Sequence, residues 1–188
     1  MTRIVAGFAG SLSLTVPDTG TRPTSDRVRE AIFSALESRD ALRHARVVDL
    51  YAGSGALGLE AASRGAATVT LVEKNAAAAR ACRDNAARIL RNAPKGAEPR
   101  IAVAAQAVQT FLDTSDATWD LALLDPPYGV GAEELARAIA SLAPRLAPEA
   151  IVLVERTSKA PEPVWAPGIA LDRRKDYGDT TLWWASVG

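Results

Sequence analysis

The sequence predicts an α/β fold: a mostly parallel sheet with helices on both faces, preceded by a small N-terminal β-hairpin and helix. Three observations carry this. From Val47 onward, short runs of Val, Leu and Ile alternate with helix-length segments, and strands that are apolar throughout and separated by helices belong to a parallel sheet buried on both sides. A glycine-rich loop joins the first of these strands to the next helix. The tail breaks the rhythm, because two strand-like runs there flank a tight Tyr177-Gly178-Asp179 turn, as an antiparallel pair would.

The elements follow in order. Residues 3–16 read as a hairpin turning near Gly7 to Gly10, with Ser11 to Val16 alternating at a period of two. Thr24, Ser25 and Asp26 are N-cap candidates for a helix to about Ser38. Its apolar stripe is Val28, Ala31, Ile32, Ala35 and Leu36, and Arg27, Arg29 and Glu30 are expected to lie away from it. Strands are expected at 47–50, 68–72, 101–104, 121–124 and 151–154. Helices are expected at 56–64, 76–90, 107–112 and 133–142, the last stopped near Pro144. The antiparallel pair covers 169–173 and 181–185. The whole chain, 1–188, reads as one domain, with an extension over 1–38 and a core over 45–188.

Composition narrows the class. Of 188 residues, 22 are Lys or Arg and 22 are Asp or Glu, so the net charge is zero, which argues against a blanket electrostatic grip on nucleic acid or membrane. The single cysteine, Cys82, excludes an internal disulfide and is expected in the core. No apolar stretch approaches the roughly 20 residues that span a bilayer, and the start of the chain suits a strand better than a secretory leader. The expectation is a soluble, cytoplasmic protein.

The sharpest local feature is Asp49-Leu-Tyr-Ala-Gly-Ser-Gly-Ala-Leu-Gly58. Gly53, Gly55 and Gly58 have the spacing that permits a tight turn and close backbone approach of a ligand. A dinucleotide would fit on spacing alone, but two acids point elsewhere. Asp49 closes the strand before the loop, where it would repel a pyrophosphate yet accept from an ammonium group. Glu73 ends the next strand, where a carboxylate can take both hydroxyls of a ribose. A ligand with a ribose, an amine and no phosphate satisfies both: S-adenosylmethionine.

The second feature is Asp125-Pro126-Pro127-Tyr128, directly after an apolar strand. Ligands of open α/β sheets sit outside the carboxyl ends of the strands, so this tetrapeptide and the glycine loop share one rim. Two prolines stiffen the backbone and remove two donors, leaving carbonyls free to accept. The Asp125 carboxylate and the Pro126 carbonyl suit the two hydrogens of an exocyclic amine, and Tyr128 offers a flat face to a base. Accepting both hydrogens favours a pyramidal nitrogen whose lone pair can attack a methyl group in line. The reading is an amino methyltransferase, with no metal required.

With these residues in place, the sequence resembles the RsmD-like methyltransferases, which methylate the N2 amine of a guanine in 16S ribosomal RNA. The likeness runs over nearly the whole chain. It rests on Arg22-Pro-Thr-Ser-Asp-Arg-Val-Arg-Glu30, on the Asp49–Gly58 loop, on Asp125–Tyr128 and on Tyr177-Gly-Asp-Thr180. The resemblance implies a class I S-adenosylmethionine-dependent (Rossmann-like) fold, with a seven-stranded sheet whose last strand is antiparallel. It implies that Thr24, Asp26 and Arg27 fold over the methionine end of the cofactor. Asp49, Tyr51, Gly53, Ser54 and Gly55 would hold its amino-acid part, Glu73 its ribose, and Asp125 to Tyr128 the flipped guanine. Arg3, Arg22, Arg29, Lys175 and Tyr177 are the expected substrate contacts. Two departures from the family stand out. The hairpin stretch Gly7-Phe-Ala-Gly-Ser-Leu-Ser-Leu14 lacks the usual Lys and Arg. Where many relatives place an Asp near the adenine, this chain reads Ala104-Ala-Gln-Ala107, so Gln106 is the candidate acceptor.

The remaining features read blandly. Arg80, Arg83, Arg88 and Arg91 share an arc of about 140° on their helix, a solvated face first and a phosphate dock second. His44 is far in sequence from both motifs. Trp183 and Trp184 point to opposite faces of the last strand. Asp113 to Glu134 holds six acids and no base, which turns RNA away. Arg173, Arg174 and Lys175 form a better substrate rim. The expected partner is 16S ribosomal RNA in an assembling small subunit, bound by a monomer, since the neutral charge predicts weak binding to protein-free RNA. The alternatives are a DNA adenine or cytosine amino methyltransferase, for which 188 residues leave no room for a recognition module, and a non-catalytic ribosome-assembly module.

Overall fold

A computed structural model of the chain describes residues 2–17, 24–96 and 98–188. Arg22, expected on the substrate side, lies outside the described residues.

Strands β1 (Thr2–Arg3) and β2 (Ser13–Leu14) form the expected hairpin, antiparallel with Thr2 opposite Leu14. Helix α1 (Asp26–Glu37) starts at Ser25, whose side chain accepts from the Val28 N–H and so satisfies one of the free amides of the first turn. The core then alternates β3 (Arg46–Leu50), α2 (Ala56–Ser63), β4 (Thr68–Val72), α3 (Ala76–Leu90), β5 (Arg100–Ala104), α4 (Val108–Thr114), β6 (Trp119–Leu124), α5 (Ala132–Leu142) and β7 (Leu146–Thr157). Strands β8 (Ile169–Tyr177) and β9 (Thr180–Val187) close it. The seven-stranded sheet has the order β5-β4-β3-β6-β7-β9-β8, with β9 running antiparallel to both of its neighbours.

The period of two along each strand sorts side chains into two cores. Val47, Val69, Leu71, Leu121, Leu123, Leu153 and Trp184 face α1, α2 and α3, where Ile32, Phe33, Leu36, Leu59, Cys82 and Ile89 meet them. Val48, Leu50, Val72, Leu124, Val152, Val154 and Trp183 face α4 and α5 through Leu112, Leu135, Ile139 and Leu142. Both tryptophans are therefore buried, one on each side. Two boundaries differ from the hydrophobic pattern. Strand β7 outruns the apolar 151–154 run at both ends, reaching Leu146 opposite Trp119 and Thr157 opposite Thr180. Strand β8 runs on through Arg174 and Lys175 to Tyr177. Backbone ladders do not need apolar side chains, and β8 is an edge strand, where exposed charges are the usual protection against further pairing.

One correction concerns α1. Arg29 does not lie away from the apolar stripe but is fully buried with it, while Ala31 and Ala35 are only half-buried and Phe33 joins the core. The Arg29 guanidinium pairs with Asp26 one turn earlier, and Asp26 also pairs with Arg3 of β1 at 3.4 Å. The hairpin covers this face of α1, which a helical wheel cannot show.

The hairpin itself is bolted to α2. Glu60, fully buried, accepts from the Val5 and Ala6 N–H groups at 2.7 and 2.9 Å and from Arg64 at 2.8 Å. Ser63 accepts from the Ala9 N–H at 2.9 Å and donates to the Ala6 carbonyl at 2.6 Å. Gly7, at φ +81°, passes so close that a Cβ would sit 2.0 Å from the Ser63 carbonyl oxygen. The glycine and the uncharged stretch around it are thus explained by packing on α2.

Candidate active site

The four central parallel strands end in register: Leu50 pairs with Val72 and with Leu124, and Leu124 pairs with Val154. The residues that follow, Tyr51, Glu73, Asp125 and Glu155, therefore stand along one rim. Crossovers run outward from β3 to β5 on one side and from β6 on the other, so the switch in strand order falls between β3 and β6, where such sheets bind ligands. A cleft of about 760 Å³ opens there, within the size range of small-molecule sites.

The glycine loop forms its floor. Tyr51 (φ +68°), Gly53 (φ +58°) and Gly55 (φ +81°) all take left-handed backbone, giving the turn its sharpness. The Gly53 N–H donates to Glu73 Oε2 at 2.9 Å and the Asn75 N–H to Oε1 at 2.7 Å, so Glu73 is held rigidly beside the loop. From behind, Cys82 Sγ donates to the Gly53 carbonyl at 3.2 Å and Asn85 Nδ2 to the Ser54 carbonyl at 3.0 Å. Asn85 also exchanges hydrogen bonds with the Thr15 backbone, both 2.9 Å, tying the chain after the hairpin to the loop. The glycines divide the work. A Cβ on Gly58 would lie 2.4 Å from Leu71 Cδ2, so this glycine lets α2 lie close on the sheet, whereas a Cβ on Gly53 would meet nothing within 4 Å. Gly53 leaves the cleft open at this point.

Asp49 is buried beneath the loop, 1% exposed, and Oδ2 accepts the Gly58 N–H at 2.8 Å. Burial pushes its carboxyl up to about 8, helped by the nearby acids Asp125 and Glu73. The Gly58 amide is thus spent on a carboxylate instead of standing free for a phosphate.

On the facing wall, Asp125 begins the Asp-Pro-Pro-Tyr segment. The Pro127 carbonyl accepts from the Val130 N–H at 2.9 Å, while no described residue donates to that of Pro126. Tyr128, 74% exposed, presents its ring at the mouth of the cleft. Thr24 Oγ1 lies 3.1 Å from Asp125 Oδ2 and 3.0 Å from Glu155 Oε2, bridging two carboxyl groups. Burial raises both carboxyl groups above the usual range, and the proximity of Asp125 raises Glu155 further.

Of the residues expected from sequence, the cleft brings together Thr24, Asp49, Tyr51, Gly53, Ser54, Glu73, Asp125, Pro126, Pro127, Tyr128 and Tyr177. Gly55 stands behind the floor, facing Leu71, Leu59 and Cys82. Asp26 is engaged with Arg29 and Arg3, outside the cleft, and Arg27 is exposed beside them. Gln106 lies off the cleft, whose wall there is Ala107, Val108 and Gln109. Lys175 stacks over the Tyr177 ring at 5.2 Å and so borders the site without lining it. His44 lines a separate depression at the opposite end of the sheet. Sequence reasoning missed Glu155, which the rule that found Asp49 and Glu73, an acid at the carboxyl end of an apolar strand, also marks. Asn85, buried in the middle of a helix, carries no such signal.

The donor set decides what the cleft can hold. Asp49, Glu73, Asp125, Glu134, Glu155 and Asp179 line it against two cations, Lys74 and Arg156, and Arg156 is turned to the Val130 carbonyl at 2.9 Å. A cationic ligand with amine and hydroxyl donors fits such a wall, and a polyphosphate does not. S-adenosylmethionine has those groups: Asp49 would meet the ammonium, Glu73 the ribose and the bare face of Gly53 the chain between them.

Known proteins resemble this chain over nearly its whole length. The family model of "Conserved hypothetical protein 95" matches residues 2–186. The chain is 35% identical over 177 residues to ribosomal RNA small subunit methyltransferase D of Escherichia coli, covering 94% of this chain and 85% of that protein. It is 32% identical over 162 residues to the protein of the same name from Haemophilus influenzae, covering 85% and 80%. The solved structure of E. coli yhhF superposes with a TM-score of 0.84 at 31% identity, over 99% of this chain and 97% of that one. The chain belongs to the conserved hypothetical protein 95 family, that of ribosomal RNA small subunit methyltransferase D, and has its class I methyltransferase fold.

Proposed function

We propose that the chain is an S-adenosylmethionine-dependent methyltransferase that places a methyl group on the N2 amine of a guanine in small-subunit ribosomal RNA. The observation that carries this is the pairing, on one rim, of an acid-lined glycine loop with the Asp125 carboxyl and the Pro126 carbonyl, to which no described residue donates. The relatives named as ribosomal RNA methyltransferases support RNA as the substrate.

S-adenosylmethionine, when bound, supplies an electrophilic methyl group on a sulfonium. The protein's share is positioning and electrostatics. Asp125 and the Pro126 carbonyl accept the two amine hydrogens, drawing the nitrogen toward a pyramidal geometry that frees its lone pair. The carboxylate stabilises positive charge as it develops on the nitrogen. The Tyr128 ring stacks on the base, which must stand unpaired or be turned out of its helix to reach the cleft. The prolines hold these groups without loop reorganisation.

The test is methyl transfer from labelled S-adenosylmethionine to small ribosomal subunits from a strain lacking the gene, with nucleoside analysis of the RNA. N2-methylguanine is the expected product. Label in DNA or protein would keep the chemistry and overturn the substrate, and cofactor binding without transfer to any of them would overturn catalysis. Protein-free ribosomal RNA is the informative comparison, since the neutral net charge and the uncharged stretch Gly7–Leu14 predict it to be the poorer substrate.

A further inference from the structure

Glu155 is not explained by the reaction just described. It is 8% exposed, lines the cleft, and forms no ion pair among the described residues. Its neighbour Arg156 is committed to a backbone carbonyl. A carboxyl group taken out of water without a cation is costly, so a purely structural side chain here would be better apolar. Its position follows from register. Val154 pairs with Leu124, so Glu155 and Asp125 emerge side by side from adjacent parallel strands, at the usual strand spacing of about 4.8 Å. The Thr24 hydroxyl touches both carboxyl groups, 3.1 and 3.0 Å away, yet has a single hydrogen to give. Two carboxyl groups therefore share one hydroxyl hydrogen.

We infer that Glu155 is a base-recognition residue: it accepts the ring N1–H of the guanine whose N2 amine is held by Asp125 and the Pro126 carbonyl. The inference rests on the guanine-N2 reading above. The Watson–Crick edge of guanine carries two neighbouring donors, N1–H and the N2 amine, which match two neighbouring carboxyl acceptors and supply the missing hydrogens. Adenine and cytosine present a lone pair on the ring nitrogen next to their amine, which the ionised Glu155 repels; burial raises this carboxyl group, so the discrimination sharpens as pH rises. The pair of acids thus selects guanine, while Asp125 alone would accept an amine from any of the three bases. A site built to accept a substrate N–H rejects analogues lacking it strongly, because its own buried group is then left unpaired.

The test uses 2-aminopurine, which keeps the exocyclic amine but has a lone pair at N1. Reconstituted subunits with guanine or 2-aminopurine at the modified position are compared as substrates for the full chain, for Glu155→Gln and for Thr24→Val, with folding checked by thermal melting. The native protein should prefer guanine by at least about 10²-fold in kcat/KM. Glu155→Gln can donate its amide to a bare N1, so guanine turnover should drop while 2-aminopurine holds or rises, and the preference should collapse to within about tenfold. Thr24→Val should slow both substrates together and keep the preference. If Glu155→Gln lowers both substrates by the same factor, or changes neither, the inference is overturned and Glu155 only positions Thr24. If the native protein yields no N2-methylguanine from ordinary subunits, it is the functional reading that fails, a result visible before any variant is made.

Discussion

Asp49→Asn is expected to stabilise the protein while removing its affinity for the cofactor, and pH separates this outcome from an ordinary mutational effect. Asp49 is 1% exposed and its carboxyl is pushed up to about 8, against about 3.9 in an unfolded chain. The folded state therefore holds its proton more tightly. The contribution of Asp49 to stability is complete below the unfolded value and is lost as pH rises through the folded one. At about 1.36 kcal/mol per pKa unit, the penalty grows from roughly 1.5 kcal/mol at pH 5 to roughly 5 at pH 8. Asparagine keeps the Gly58 hydrogen bond through its carbonyl oxygen and cannot ionise. The gap in stability between variant and native protein should thus widen by on the order of 3 kcal/mol from pH 5 to pH 8, about 6–12 °C in Tm for a chain of this size. Thermal melts of both proteins across that range measure it. Asp125 and Glu155 also carry raised carboxyl groups, but they are common to both proteins and largely cancel in the difference. S-adenosylmethionine should raise the Tm of the native protein and leave that of the variant unmoved. A gap that is flat with pH, or a variant less stable than the native protein at pH 8, would refute the account of Asp49 as a carboxyl held neutral until a cation arrives.

The glycines should separate in the same assay: Gly58→Ala, with its Cβ 2.4 Å from Leu71 Cδ2, should cost about 1–3 kcal/mol of stability by crowding a packed core. Gly53→Ala should cost about 1–2 kcal/mol for its left-handed backbone, yet abolish the Tm shift on adding cofactor. Glu60→Ala leaves the buried Arg64 short of its closest partner and frees two hairpin amides, so a loss of about 3–5 kcal/mol in urea unfolding is expected, with early proteolysis near Ala6. Asp125→Ala should lower methyl transfer by about 10²–10³-fold without lowering Tm, since it removes a buried acid. Arg29→Met should hold or raise Tm, because Nε and Nη1 of the buried guanidinium meet no acceptor among the described residues; a loss of several kcal/mol would mean that Arg29 has partners besides Asp26.

Most of the sheet was legible because its strands are buried on both faces and read as uninterrupted apolar runs separated by helices. Strand β4 and helix α3 occupy the spans that the pattern alone assigns, 68–72 and 76–90. The pattern fell short where backbone pairing, not side-chain burial, defines the element, as at Pro148–Glu149 in β7 and at Arg173–Lys175 on the edge strand. In the site, the glycine loop and Asp125–Tyr128 were visible because each is contiguous. Glu155 and Thr24 were harder: their meaning lies in a contact spanning 131 positions, which only the sheet register creates. Arg29 misled for a related reason. A helical wheel assigns a charged residue to water, but the hairpin closes over that face and leaves Asp26 as its counter-ion.

The distribution of charge explains how a chain of zero net charge can work on a polyanion. The acids converge on the cleft, where Asp49, Glu73, Asp125 and Glu155 end four adjacent strands and Glu134 and Asp179 also line the walls. The exposed bases are peripheral. Arg173, Arg174 and Lys175 lie along the edge strand, their charges seated over the Trp184, Trp183 and Tyr177 rings at 5.3, 5.0 and 5.2 Å, and Arg80, Arg83 and Arg91 project from α3. A cleft of this sign repels phosphate and admits only groups that bring hydrogen-bond donors or positive charge. A base turned out of its helix brings the first and leaves its phosphates at the rim, where the edge-strand cations stand. The same acids that set the chemistry of the cleft therefore also confine RNA to presenting a base edge and nothing more.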